Sequence, residues 1–413
     1  MNPDVIKRKP LKTTVTGRLT NLRDVRNPFE FGRELNESEL VDRESELDLV
    51  ERAIVNRGKF FLMGPRRFGK TSILSAVEHR VSARGAVVLR YDAEAYETTA
   101  LLAQALLTGA ARKLAGPIDR VGDTLRRVFG TLRPEVQYDV AEQKLSVTIG
   151  AAERAAELPT LSKVLDGIEA MAAEASGPVA VVIDEFQQLI ADHGETAEKQ
   201  LRATVQKHRH VAYVFAGSKT RLLADMTGDP GRAFWKLGER HFLGPIPRPD
   251  FLAFLRRGFE AYRHPADEGA LVRLLDVAED VPYNVQRVAY VAWELLRVEP
   301  DSPLTVDVVE RALTTIIAQE HPAYVQLWTS LTTPQKKVLK AVILEGGRSL
   351  TSAEVLRRHG VAAATMHKTL GVLDDKGIIR ADETDASPRY RLEDPFSGAW
   401  LRHVQEGPGA TAS

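Results

Sequence analysis

Lys59-Phe60-Phe61-Leu62-Met63 runs directly into Gly64-Pro65-Arg66-Arg67-Phe68-Gly69-Lys70-Thr71, and that into Ser72-Ile73-Leu74-Ser75-Ala76-Val77. The first five residues suit a buried strand, the next eight match G-x-x-x-x-G-K-[ST], and the last six open a helix. Strand, glycine-bounded loop and helix in that order aim backbone N–H groups and the positive end of a helix at phosphate. On this reading Gly64, Pro65, Arg66, Arg67, Phe68, Gly69 and Ser72 form the phosphate cradle. Lys70 reaches the β- and γ-oxygens of ATP, and the Thr71 hydroxyl holds Mg2+. The alternative is a glycine-rich turn carrying an exposed lysine.

Further along, Val179-Ala180-Val181-Val182-Ile183 ends in Asp184-Glu185-Phe186. A buried strand must end where charge reaches solvent or metal, so Asp184 suits Mg2+. Alternation along the strand turns Glu185 elsewhere, as a general base that polarises a water for attack on the γ-phosphate. A solvated strand end is the other reading. The run Val211–Ala216 leads to Gly217-Ser218-Lys219-Thr220. Ser218 is the candidate polar contact to the γ-phosphate or attacking water, or else an N-cap for a helix from Thr220. Arg240, before His241-Phe242-Leu243, stands where an arginine finger reaches a γ-phosphate, and a homo-oligomer follows if that phosphate is a neighbour's; a surface ion pair is the plain alternative. Lys207-His208-Arg209-His210 reads as a solvated helix end or loop.

The whole chain has 413 residues, with 56 Lys+Arg balancing 56 Asp+Glu, which excludes a surface uniformly built to coat a polyanion. Zero cysteines exclude disulfides, thiolate metal sites and cysteine nucleophiles. The absence of any long apolar run argues against a membrane span, and the N-terminus lacks a secretory apolar core, so a cytoplasmic protein is expected. Residues 1–27 carry seven Lys/Arg against two Asp and read as a flexible basic arm. An α/β core with a parallel sheet and helices on both faces is expected over 28–247, a helical lid over 248–330, a winged helix over 331–404 and a polar tail over 405–413. The stretch from Gly116 to Pro159 exceeds a minimal connection, and Gln143–Gly150 within it reads as a hairpin strand.

The phosphate loop, the Ile-Asp-Glu-Phe-Gln strand end, Leu40-Val41-Asp42-Arg43-Glu44 before the first strand, and Tyr390…Asp394-Pro395-Phe396…Trp400 together resemble the archaeal-type ATPase family. That family belongs to the STAND branch, close to AAA+ and origin-recognition ATPases. The resemblance implies a P-loop NTPase core, a helical lid and a C-terminal winged helix working as a nucleotide-dependent switch. It also implies that the segment around Val41 and Arg43 covers the adenine, and that Pro282 belongs to a lid motif contacting nucleotide. Glu279-Asp280-Val281 stands where the family carries glycine before that proline. Arg287 is a second sensor arginine by the same resemblance, or a solvated residue of an amphipathic helix.

In the C-terminal segment, Thr333–Leu344, a helix capped by Thr351, Ala362–Lys376, and strands at Gly377–Arg380 and Arg389–Leu392 trace a winged helix. Its third helix turns Ala363, Ala364, His367, Lys368 and Gly371 outward, a face poor in base-reading residues. Twelve Lys/Arg against nine Asp/Glu between Leu331 and Val404 suit modest contact with the backbone of double-stranded DNA through His367, Lys368 and Arg389. Docking of a protein partner is the alternative use of such a domain.

Overall fold

The computed structural model describes residues 26–116, 121–139, 144–150, 157–218, 220–299, 301–382 and 389–406. The basic arm up to residue 25, Lys219 and the tail from 407 lie outside them. The first strands in chain order are β1 (Lys59–Met63), β2 (Val87–Asp92), β3 (Glu135–Asp139), β4 (Lys144–Thr148), β5 (Val179–Asp184), β6 (Val211–Gly217) and β7 (Glu239–Phe242). The accompanying helices are α1 (Glu44–Val55), α2 (Lys70–Ser82), α3 (Thr99–Leu114), α4 (Val121–Phe129), α5 (Glu157–Ala173), α6 (Gln187–Val205) and α7 (Thr220–Gly228).

Five strands form a parallel sheet in the order β2-β5-β6-β1-β7. Every residue of β5 and β6 is buried, as helices on both faces require of central parallel strands. Alternation divides the side chains: Phe61, Met63, Val181, Ile183, Tyr213 and Phe215 pack with α3, α5 and α6. Phe60, Leu62, Ala180, Val182, Ala212 and Val214 pack with α1 and α2. The expected strand near Gln143–Gly150 is β4, paired antiparallel with β3 and laying Leu145 and Val147 into the α3 side of the core.

Beyond the sheet lie α8 (Arg248–Glu260), α9 (Glu268–Ala278), α10 (Pro282–Leu296) and α11 (Val306–Ser330). Their shared core contains Phe251, Leu255, Phe259, Leu274, Val288 and Trp293, and also Phe29. The residues just before Phe29 therefore do not behave as an arm. Asn27 is buried, and its amide donates to the Tyr290 carbonyl at 3.1 Å and to Glu294 at 3.1 Å. The Phe29 ring packs on Phe254 and Phe259.

The chain closes with α12 (Thr333–Leu344), α13 (Ala353–His359), α14 (Ala363–Asp375), β8 (Ile379–Asp382), β9 (Arg389–Leu392) and α15 (Pro395–Glu406). A separate core of Val338, Val342, Leu350, Met366, Leu370 and Leu373 holds the first part together. The cap of α13 is Ser352, one residue later than expected, its hydroxyl accepting from Val355 N–H at 3.3 Å. Helix α15 returns to the preceding helices: Phe396, Trp400 and Leu401 join their core, and Trp400 Nε1 donates to His321 at 3.0 Å. Among the described residues no helix is long and apolar enough to cross a membrane.

His208 is a correction. It is buried rather than solvated, its Nε2 2.9 Å from Asp166 and its Nδ1 2.7 Å from the Tyr213 hydroxyl.

Candidate functional site

Because β6 lies between β1 and β5, the loop after β1 and the carboxylates after β5 open on the same end of the sheet. Gly69 caps α2 at φ +94°, a left-handed conformation suited to glycine. Gly64 leaves no room for a side chain, since a Cβ there would lie 2.8 Å from Leu243 Cβ. Lys70 is buried, and its ammonium donates to the loop's own carbonyls, Gly64 at 2.8 Å and Pro65 at 3.1 Å. Burial pushes its pKa down, against the pull of Glu185 and Asp184. Ser72 Oγ accepts the Leu35 N–H at 3.1 Å.

Thr71 Oγ1 donates to Asp184 Oδ2 at 2.8 Å, so the two expected metal-holding oxygens meet. Asp184 is buried, which raises its pKa. Strand β5 ends there. Glu185 takes φ +46°, so its direction comes from a left-handed turn rather than from strand alternation. Its Oε2 receives Ser218 Oγ at 2.8 Å, Ser218 N–H at 3.3 Å and the Gln187 amide. Burial pushes the Glu185 carboxyl up, but Lys70 and these donors outweigh it and hold it below the ordinary carboxylate range.

A cleft of about 510 Å³ runs from this point along the phosphate loop, lined by Arg66, Arg67, Phe68, Gly69, Lys70, Thr71 and Ser72. Val41, Arg43 and Pro282 also line it. Arg43 is held by Glu46 at 3.0 Å and the Gly244 carbonyl at 2.9 Å. Tyr283, Gln286 and the strap Glu30–Leu35 line the cleft too, and these were not foreseen. The signal was present in Phe29 and Phe31, two aromatic residues just past the expected arm; Phe31 packs edge-on against Tyr283 and Tyr290.

Two expected residues stand apart. Arg287 is buried and paired with Glu320 at 2.5 Å, between the rings of Phe31 and Phe396, so it is neither solvated nor a lining residue of the cleft. Arg240 sits exposed on the edge strand β7, opposite Phe61 in register, and does not line its own chain's cleft.

In the turn before Pro282, Glu279 and Asp280 both adopt left-handed angles, φ +51° and +56°, without glycine. Arg248 Nε binds the Asp280 carboxylate at 2.9 Å. Two elements then close on the phosphate loop. Tyr283 N–H donates to the Arg67 carbonyl at 3.3 Å, with the Arg67 guanidinium 5.2 Å over the Tyr283 ring. From the C-terminal hairpin, the Glu393 carbonyl accepts from Arg67 at 3.4 Å, and Arg380 lies 5.8 Å over the Phe68 ring. His367 and Lys368 are exposed on α14, whereas Arg389 donates to the Gly346 carbonyl at 3.1 Å.

The sheet order, the phosphate loop at its end and the C-terminal helices with their hairpin define a P-loop ATPase fold followed by a winged helix. Residues 322–403 match the family model described as "Probable winged helix domain". The Walker-type ATPase PABY2304 of Pyrococcus abyssi is similar over 91% of this chain and 100% of its own, at 16% identity and a TM-score of 0.59. The ORC2 protein of Aeropyrum pernix, in its ADPNP-ADP complexes, is similar over 91% of this chain and 96% of its own, at 16% identity and a TM-score of 0.54. The likeness to archaeal ATPases read from the motifs is thus borne out as a likeness of fold. No curated protein matches the chain.

Proposed function

We propose that this protein binds and hydrolyses ATP as a molecular switch whose nucleotide state controls DNA binding by the winged helix. The observation that carries the chemistry is the convergence of Lys70, Thr71, Asp184, Glu185 and Ser218 at one end of the sheet. Lys70 would leave the carbonyls of Gly64 and Pro65 for the β- and γ-oxygens, and the N-terminus of α2 faces the same phosphates. Thr71 and Asp184 offer the oxygen donors that Mg2+ takes, and among the described residues no cluster of three or more His, Asp or Glu forms a cage, as suits an ion completed by phosphates and water. Bound there, Mg2+ supplies charge neutralisation. Glu185 accepts the proton of the water that attacks the γ-phosphorus as the bond to ADP breaks, and Ser218 orders that water or the γ-oxygens. Arg240, set on the exposed sheet edge, suits a neighbouring subunit's phosphate better than its own.

Coupling rests on the hairpin seated on the phosphate loop. With Arg380 and the Glu393 carbonyl on Phe68 and Arg67, a bound triphosphate and the docked wing would meet on the same eight-residue loop. Lys70→Ala should abolish ATP binding. Glu185→Gln should keep ATP and lose hydrolysis by at least about 100-fold, the contribution of a general base; a Gln variant with wild-type turnover would remove Glu185 from this role. The Glu185→Gln protein should then bind labelled duplex differently with ATP and with ADP, weakening with salt, and a Lys368→Glu change should weaken it further.

Protein docking is the second reading, and one observation favours it: beside His367 and Lys368 the exposed face of α14 presents Ala363, Ala364 and Gly371, which read no base edge. Duplex binding absent even at low salt, with ATP retained, would decide for it.

A further inference from the structure

Gln187, the first residue of α6, is 1% exposed and lies one turn past the strand-end carboxylates. Its Nε2 donates to Glu185 Oε2 and stands 3.5 Å from Ser218 Oγ. Its Oε1 is buried with no partner. Gly217 backs directly on that oxygen: a Cβ at 217 would come within 2.1 Å of it. The opposite amide orientation would set Oε1 against the Glu185 carboxylate oxygen, so the chemistry fixes which end faces the acid.

An unpartnered buried acceptor costs about 1–3 kcal/mol. An apolar side chain of the same length would avoid that cost, so packing does not account for a glutamine here. What glutamine adds is a third donor on one carboxylate oxygen. Ser218 Oγ and Ser218 N–H converge on the same atom, and among the described residues no donor reaches Glu185 Oε1.

We propose that Gln187 is a positioning residue for hydrolysis: with Ser218 it saturates Oε2 of Glu185 and thereby presents Oε1, in a fixed direction, as the atom that takes the proton of the attacking water. The inference rests on the reading of Glu185 as the general base. The step balances within that reading: water oxygen bonds to the γ-phosphorus, the bond to the ADP oxygen breaks, and the water proton passes to Oε1. Gln187 contributes no atom to it.

The test is steady-state ATP hydrolysis against pH for the full chain, with Glu185→Gln and Gln187→Met measured beside the wild type. Gln187→Met keeps length and removes both the donor and the orphan oxygen. Its kcat should fall at least about tenfold with KM for ATP within about twofold, since only the base is disturbed. The acid limb of kcat should move to higher pH, because a carboxylate that loses a donor binds its proton more tightly. The melting temperature should stay level or rise. Gln187→Glu, of the same size, puts a second carboxyl against Glu185 and should move the limb further the same way. Wild-type kcat and an unmoved limb in both variants, with Glu185→Gln inactive, would overturn this proposal and leave the base intact. A fall in kcat that tracks a fall in melting temperature, with the limb unmoved, would equally overturn it by reducing Gln187 to packing. Wild-type turnover by Glu185→Gln would overturn the reading of the base, and this proposal with it.

Discussion

His208 shows how a single residue ties stability to pH. Burial pushes its pKa below the ordinary histidine value, and this outweighs the opposite pull of Asp166 and Glu169, while Lys207 adds to the depression. The folded state therefore binds fewer protons than the unfolded chain as pH falls through the ordinary histidine range of about 6.5, and stability is lost in that direction. In the neutral ring Nε2–H faces Asp166, leaving Nδ1 to accept from the Tyr213 hydroxyl; a second ring proton would leave that buried hydroxyl facing a donor. The melting temperature should fall between neutral pH and about pH 5, and His208→Gln should flatten that slope. An equal slope in the variant would place the titration elsewhere. The sequence could not show this residue's fate, because Asp166 and Tyr213 reach it from other elements. It did point to Lys70, Thr71, Asp184 and Glu185, which lie in contiguous motifs and which the structure brings to one end of the sheet. Glu279 and Asp280 mark the boundary between the two cases: they stand where the resemblance expects glycine, and the backbone takes left-handed angles there regardless.

At the scale of elements, continuous apolar runs announced β1, β5 and β6, and Thr333-Pro334 announced the start of α12, whereas the cap of α13 lies one residue past the one expected. Strand order was not legible, since it depends on which distant faces bury one another. Nor was the strap Glu30–Leu35, whose place over the cleft is set by Phe29 and Phe31 packing on α8 and α10. Helix α15 was visible only as an Asp-Pro-Phe…Trp pattern, and the structure supplies its physical content. Tyr324 donates to Asp394 at 3.0 Å, and the Trp400 ring packs edge-on to His321 and tilted against Tyr324. Trp400 is 5% exposed. Trp400→Ala should cost about 3–5 kcal/mol in urea unfolding, and a loss below about 1 kcal/mol would show that α15 is dispensable to the helical core.

For the molecule as a whole, the contact between hairpin and phosphate loop predicts mutual influence between nucleotide and winged-helix position. Any effect of ATP on wing docking must be matched by an equal effect of docking on ATP affinity. Arg67→Ala removes both the Glu393 contact and the guanidinium over Tyr283. It should change ATP affinity by about 5-fold or more and alter the distance, read by energy transfer, between dyes on α1 and α13. Unchanged distances with and without ATP, in both proteins, would separate the two regions energetically.

The return of α15 to the lid carries one more consequence, and it is kinematic. The winged helix leaves the lid through the end of α11 and is pinned to it again by Phe396, Trp400 and Leu401. A body held at two points does not wander like a bead on a string; it swings like a door, about the line joining its hinges. Two such attachments restrict how the winged helix can turn once it leaves the phosphate loop, so its motion should be nearer a swing about the line joining them than free tumbling.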